Sequence, residues 1–129
     1  MRDISTREDI ELLVDTFYNK VMIDDYIGPF FNEIAKVNWG KHLPIMYSFW
    51  ESILFGKMTY KGNPMMKHFP INEIKALEKD HFNHWVKLWT ESVEELFQGE
   101  YADAAIYKAS NIANLMGYKM EMARRLDNL

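Results

Sequence analysis

Apolar residues recur at every third or fourth position through much of the chain, which is the spacing of one face of an α-helix. The first such stretch follows a capping box that we place at Ser5 and Glu8, and we predict that its helix ends at Asp24-Asp25. A second stretch predicts a helix around residues 40 to 55. A short aromatic pair, Phe30-Phe31, lies between the two.

The second half of the chain predicts two long helices. We expect the first of them to be capped by Asn72 and to end at Gly99, with large apolar residues on its inner side. The last helix carries a stripe of small residues and methionines, including Ala105 and Ala109, that suits close helix packing. Apolar and polar residues do not alternate as they do in a strand, so the sequence predicts an all-α fold.

All four prolines lie within the first 70 residues, and three of them bear on the predicted helices. Because Pro44 removes a backbone donor, the second helix is expected either to begin near Leu43-Pro44 or to have a kinked first turn. Pro64 and Pro70 enclose residues 65–69, which we predict to form a single helical turn. That turn contains His68.

Length, charge and composition limit the classes of protein that fit. A chain of 129 residues is most simply one domain, spanning residues 1–129. The absence of cysteine excludes disulfides, a zinc-thiolate site and a covalently attached c-type haem. The net charge is −4 with basic residues dispersed along the chain, which argues against a nucleic-acid partner. With neither a signal-peptide pattern nor a membrane-length apolar run, we expect a cytoplasmic protein with no membrane partner.

The chain is unusually rich in methionine and aromatic residues, with nine and nineteen of them respectively. Such side chains can fill a loosely packed core, or they can shape a core around a flat apolar ligand. Histidines decide between these possibilities only in combination, because His42 alone reads as a core residue and His68 alone as a turn residue. Glu78, His81 and His84 form an ExxHxxH pattern, but a second ExxH motif is missing, so we interpret this pattern as a partly solvated helix face.

His42 and His68 become informative together. They come from different helices, and a chain reversal at the intervening Gly-Asn-Pro turn could bring them to one pocket. Tyr18 on the first helix and Trp85 on the long helix could add a phenol and an indole donor. One histidine as ligand with polar donors opposite, in a cavity rich in Met and Phe, is a description that haem fits.

Five stretches of the chain resemble group III truncated haemoglobins: FYNKV (17–21), IGPFFNEI (27–34), HLPIMYSFWESILFG (42–56), YKGNPMMKH (60–68) and HFNHWVKLW (81–89). The resemblance covers essentially the whole chain in one register. It implies a truncated globin, a two-over-two helical sandwich around haem b (iron protoporphyrin IX), and we expect a monomer.

Carried over position by position, the resemblance implies that His68 is the proximal iron ligand and that His42 is the distal histidine at the pocket entrance. Tyr18 and Trp85 match the distal tyrosine and tryptophan that hydrogen-bond a bound ligand. The remaining expected haem contacts are apolar: Phe31 at the haem edge, Met46, Phe49 and Trp50 on the distal side, and Met65 on the proximal side. Lys57, Tyr60, Lys61 and Lys67 are candidates to meet the propionates by nearness in sequence only, and for each of them we favour the interpretation as a solvated residue.

The expected function is binding of O2, NO, CO or another diatomic ligand at a five-coordinate iron. Turnover, such as dioxygenation of nitric oxide or reduction of peroxide, would need an external electron donor or reductase. The alternatives are an oxygen store, a scavenger or a gas sensor without turnover, and, outside haem chemistry, a plain helical interaction module.

Overall fold

A computed structural model describes residues 1–127, which form five α-helices and one π-helical turn and contain no strand. We call the helices α1 to α5 and the segment between α1 and α2 the π-turn. Their bounds are Arg7–Met22 for α1, Phe30–Ile34 for the π-turn, Trp39–Phe55 for α2, Pro64–Ile74 for α3, Lys79–Leu96 for α4 and Glu100–Asp127 for α5.

Two helix pairs cross to form the body of the molecule. The chain folds α1 against α2 and α4 along α5, and α1 also packs on α4, so one pair lies over the other. The short helix α3 packs on α5 and on the π-turn. This is the predicted all-α, two-over-two arrangement.

A pair of stacked indoles lies in the core where α2, α4 and α5 meet. The indoles of Trp50 and Trp89 stack with ring centroids 4.3 Å apart, and both side chains are almost fully buried. Trp89 also donates its indole N–H to the Ala105 carbonyl at 3.1 Å. Because Ala105 and Ala109 are small and completely buried, α5 can approach α4 closely. The small-residue stripe therefore serves packing, as predicted.

The ends of α1 differ from the prediction. The capping box uses Thr6 and Asp9, because the Thr6 hydroxyl accepts the Asp9 N–H and the Asp9 carboxylate accepts the Thr6 N–H. Ser5 instead donates its backbone N–H to Asp9, one residue before the cap. The helix ends at Met22, ahead of Asp24.

Helix α2 begins at Trp39, close to the range of residues 40 to 55 that the apolar pattern predicted, and of the two alternatives for Pro44 the later start at Leu43-Pro44 was wrong. The Asn38 side chain caps it by accepting the Lys41 N–H. Pro44 therefore lies inside the first half of the helix, where it removes one backbone hydrogen bond without ending the helix.

Helix α3 is longer than the single turn predicted for residues 65–69. Asn63 caps it and Pro64 occupies its first turn, as expected, but the helix continues through Pro70 to Ile74. The hydrogen bond that Pro70 cannot make would have been to the carbonyl of Met66, whose residue is 60% exposed. The helix continues despite this missing donor.

Helix α4 begins later than predicted, because its N-cap is Glu78 rather than Asn72. Asn72 is buried and joins two segments: its amide donates to the Met120 carbonyl at 3.0 Å and accepts the Leu77 N–H at 3.0 Å. The helix ends at Leu96 rather than at Gly99, whose φ of +144° belongs to the connection into α5. None of the helices described, up to residue 127, has the length and apolar character needed to cross a membrane.

Candidate functional site

A cavity of about 490 Å³ is enclosed by all five helices and the π-turn. Most of its wall is apolar. The polar side chains on the wall are Tyr18, His42, Tyr60, Lys67, His68, His81 and Trp85. The fold therefore brings the four residues that the resemblance implied, Tyr18, His42, His68 and Trp85, to one cavity from four different helices.

His68 reaches the cavity from α3 in a defined tautomer. Its Nδ1–H donates to the Pro64 carbonyl one turn earlier, which leaves the Nε2 lone pair available. Burial lowers the pKa of His68, and the bond to Pro64 opposes that change in part. The imidazole is thus neutral near pH 7, which is the state in which histidine coordinates a metal.

His42 reaches the cavity from α2 and has an unpaired nitrogen. Its Nε2 is buried and lacks a hydrogen-bond partner among residues 1–127. Burial, with a smaller contribution from the charge of Lys67, lowers the pKa of His42 to about 4. A buried polar atom without a partner costs about 1–3 kcal/mol. That atom would regain a partner if a ligand with a polar group entered the cavity.

Tyr18 lies beside His42, with ring centroids 5.3 Å apart. It is 3% exposed, and burial raises the pKa of its phenol far above the ordinary value, so the phenol keeps its proton. In the part of the chain that the structure describes, its hydroxyl makes no hydrogen bond, nor does the indole N–H of Trp85. Both groups are therefore donors that remain available at the cavity wall.

The packed core holds these two donors in place. Phe17 meets Tyr18 edge-on at 4.7 Å and Trp85 edge-on at 5.7 Å. Trp85 also lies parallel to Trp89, at an interplanar angle of 8°. Rings held on several sides have few rotamers to choose from, so both donors have fixed directions.

The expected apolar contacts divide into two groups. Phe31, Met46 and Phe49 line the cavity. Trp50 does not, because it points from α2 into the core and stacks on Trp89. Met65 is also absent from the cavity wall and packs against a core cluster that includes Met116.

Several lining residues were missed from the sequence. Pro70, Ile71 and Ile74 line the cavity because α3 continues beyond its predicted end. A longer α3 would have indicated Ile71, which follows His68 by three positions on the same helix face. Ile112 and Met116 of α5 also line the cavity, although we predicted only that they pack against other helices. Their spacing does not distinguish residues of a cavity wall from residues of the core.

The ExxHxxH residues do not converge on a metal. The His81 ring accepts the Glu78 backbone N–H at 2.9 Å, whereas His84 pairs with Asp24 of the α1–π-turn connection at 2.8 Å. No group of three metal-ligating side chains occurs within residues 1–127. The interpretation as a solvated helix face was wrong for His81, which is 8% exposed and lies on the cavity wall.

Comparisons with known proteins agree with this arrangement. The family of bacterial-like globins matches residues 2–117. The chain is 30% identical over 111 residues to the Group 3 truncated hemoglobin ctb of Campylobacter jejuni, which covers 84% of this chain and 85% of that protein. The crystal structure of group III truncated hemoglobin from Campylobacter jejuni superposes with a TM-score of 0.80 at 28% identity, covering 93% of this chain and 95% of that one. The chain therefore belongs to the bacterial-like globins, as a group III truncated haemoglobin.

Proposed function

We propose that this globin binds haem b in the cavity through His68 and retains a diatomic ligand beside Tyr18, His42 and Trp85. The observation that carries the proposal is the tautomer of His68. Its Nδ1–H is engaged by the Pro64 carbonyl, so the lone pair of Nε2 is left for iron within an apolar cavity. Haem supplies the iron centre at which O2, NO or CO can bind.

The polar side chains of Tyr18, Trp85 and His42 suit a ligand that carries partial negative charge. Tyr18 and Trp85 each have a hydrogen to donate, and His42 has an unpaired nitrogen. Donors whose directions are fixed in a low-dielectric wall stabilise negative charge more strongly than water does. We expect slow release of the ligand, which favours chemistry on the bound ligand over bulk transport.

Two of the four residues considered for the propionates lie at the cavity. Lys67 and Tyr60 are on its wall, and Lys67 is also exposed to solvent. We assign the carboxylates of haem to Lys67 first, because an ammonium pairs with a carboxylate, and to Tyr60 second. Lys57 and Lys61 are exposed and are not on the wall.

The use that best matches slow release is oxidation of nitric oxide, supported by an external electron donor. Binding without turnover, as a store, scavenger or sensor, is the competing use. Consumption of nitric oxide by the oxygen-loaded protein with a supplied reductant separates the two, because a store alone would not turn over repeatedly.

Titration of the purified protein with hemin tests the haem assignment. We expect a sharp Soret band that saturates at one hemin per chain, and loss of that band in His68→Gly. Added imidazole should restore the band, because it can occupy the space of the missing side chain. His84→Gly is the matched control, since His84 pairs with Asp24 away from the cavity. An unchanged band in His68→Gly would reject the assignment.

A further inference from the structure

The charge of this globin is unevenly distributed along the chain. Residues 36–75 contain six lysines and two glutamates, a net charge of +4, although the whole chain carries −4. The remaining residues therefore carry −8. The lysines are widely spaced, at positions 36, 41, 57, 61, 67 and 75, which is why the sequence alone indicated a dispersed distribution.

The protein itself leaves this positive charge unpaired, and only Lys67 is assigned a partner under the proposed function, a haem carboxylate. All six lysines are exposed, and none of them forms an ion pair within residues 1–127. Of the two glutamates, Glu51 is buried and pairs with Arg7 at 2.9 Å, so Glu73 is the one carboxylate that this segment presents to solvent.

The same segment forms the mouth of the cavity. The cavity-lining residues that are also exposed all fall within residues 35–74: Ala35, Ile45, Lys67, Pro70 and Ile74. Large apolar side chains stand among the lysines, with Met58 92%, Met66 60% and Ile74 69% exposed. Lys67 lies on the cavity wall, and Lys36, Lys41, Lys61 and Lys75 each adjoin a wall residue in the chain, namely Ala35, His42, Tyr60 and Ile74. We call the exposed surface of residues 36–75 the basic face.

Apolar side chains among unpaired lysines are suited to a transient protein contact. The charges attract an acidic partner over about 10 Å at 0.1 M salt and orient it, and the apolar residues contribute contact area once water is displaced. A surface that encloses the mouth of a cofactor cavity is also where an electron would enter, because that side has the least protein between solvent and cofactor.

We propose that the basic face docks an acidic one-electron carrier protein, which supplies the reducing equivalents of this globin. The inference rests on the proposed function. In each docking event one electron passes from the reduced flavin or iron–sulfur group of the carrier to ferric haem. The carrier is oxidised by one electron, and no atom is transferred.

Anionic membranes also attract lysines, but the charge distribution favours a small protein. A carrier of similar size can contact the basic face alone, whereas an extended bilayer surface also meets the field of the −8 carried by the rest of the chain. Of the exposed apolar residues, Met66 and Ile74 belong to α3 and Met58 to the segment after α2. Helix α3 contains a single lysine, whereas a helix that lies in a bilayer surface is rich in Lys and Arg on its polar face.

Two matched variants test the proposal. Lys57→Glu/Lys61→Glu reverses two charges of the basic face outside the cavity wall, and Lys108→Glu/Lys119→Glu reverses two exposed lysines of α5. Both lower the net charge by four. With a flavodoxin as the acidic carrier, the second-order rate of reduction of the ferric, haem-loaded protein is measured by stopped flow at low and high salt. Titration calorimetry with oxidised flavodoxin measures docking without electron transfer.

We expect the basic-face variant to lose about tenfold or more in reduction rate and in affinity at low salt, and the α5 variant about twofold or less. The difference should shrink in 1 M salt, where the Debye length is about 3 Å. Equal losses in both variants, or no loss in either, would overturn the proposal.

Further outcomes reject the acidic carrier in favour of another occupant. Co-sedimentation with vesicles that contain phosphatidylserine, without calorimetric binding of flavodoxin, would assign the basic face to a membrane. Concentration-dependent sedimentation that Lys57→Glu/Lys61→Glu abolishes would assign it to a second copy of the chain. The Soret band of each variant reports haem binding separately. A protein with a normal band and no docking therefore rejects the basic face alone, and a protein without the band rejects the proposed function.

Discussion

Helices α1 and α4 differ from α2 and α3 in how they hold the side chains of the cavity. The donors Tyr18 and Trp85 come from α1 and α4, whose inner residues are almost completely buried and packed ring against ring. The two histidines come from α2 and α3, which contain internal prolines and bury few of their own residues. The cavity thus has two rigidly held donors and two histidines on less tightly packed helices.

This difference has a physical consequence for ligand chemistry. Hydrogen bonds to a ligand require fixed directions, and dense packing supplies them. Entry of a ligand requires an element that can move, and elements with few buried contacts move at low free-energy cost. The molecule therefore combines fixed hydrogen-bond donors with one adjustable histidine, His42, because His68 is oriented by its bond to the Pro64 carbonyl. Three predictions test that contrast.

The largest effect is expected on stability. Trp89→Ala should lower the free energy of unfolding by about 3–5 kcal/mol, because it removes a fully buried ring stacked on Trp50. Phe49→Ala should cost about 1–2 kcal/mol, since one side of that ring already faces the cavity. Urea unfolding of both variants in the haem-free form measures the difference. Equal losses would contradict the contrast in packing.

The next effect concerns ligand release. Tyr18→Phe and Trp85→Phe each remove one donor while keeping a ring in place. Loss of one hydrogen bond of about 1–3 kcal/mol should speed oxygen dissociation from several-fold to over a hundredfold. Stopped-flow displacement of oxygen measures the rate. Tyr107→Phe, on the exposed side of α5, is the matched control, and unchanged rates in both distal variants would contradict the assigned role.

The smallest effect concerns entry of the ligand past His42. In the cavity its pKa is about 4, whereas a histidine that has swung into solvent has a pKa near 6.5. The proton therefore binds the outward form more tightly, and lowering the pH from 6.5 towards 4 shifts the population outward. We expect the association rate of carbon monoxide to rise a few-fold over that range, measured by flash photolysis. The His42→Ala variant should bind carbon monoxide rapidly at every pH. If its association rate is as low and as pH-dependent as that of the unmodified protein, His42 does not control entry of the ligand.

The sequence predicted long amphipathic helices better than it predicted their ends. The apolar periods of α1, α4 and α5 were correct, because one buried face dominates their energetics. The ends depend on single hydrogen bonds, and several residues compete to make them. Thr6 with Asp9 replaced Ser5 with Glu8 as the capping box, and Glu78 replaced Asn72 as the cap of α4. Asn72 was free to become a buried bridge to Met120 instead.

The polar residues of the cavity were predicted better than its apolar residues. Motif resemblance indicated His68, His42, Tyr18 and Trp85, and the fold brings all four to the same cavity. It also indicated Trp50 and Met65, which pack in the core, because a motif identifies a position on a helix but not the direction in which a bulky side chain points. Proline statistics ended α3 too early, since the preference of proline against a helix interior is only statistical and α3 continues through Pro70 to Ile74.

The sequence by itself determined the helical class, the family and four of the polar residues of the cavity, Tyr18, His42, His68 and Trp85, because these depend on residue type and spacing. Only the tertiary structure decided that His68 has its Nε2 free, that the Nε2 of His42 lacks a partner and that six separated lysines form one basic face around the cavity mouth. The free nitrogen of His68 depends on the turn of α3 that places its ring against the Pro64 carbonyl, and the other two features depend on which parts of the chain the fold brings to the cavity. Residue type and spacing do not show these contacts.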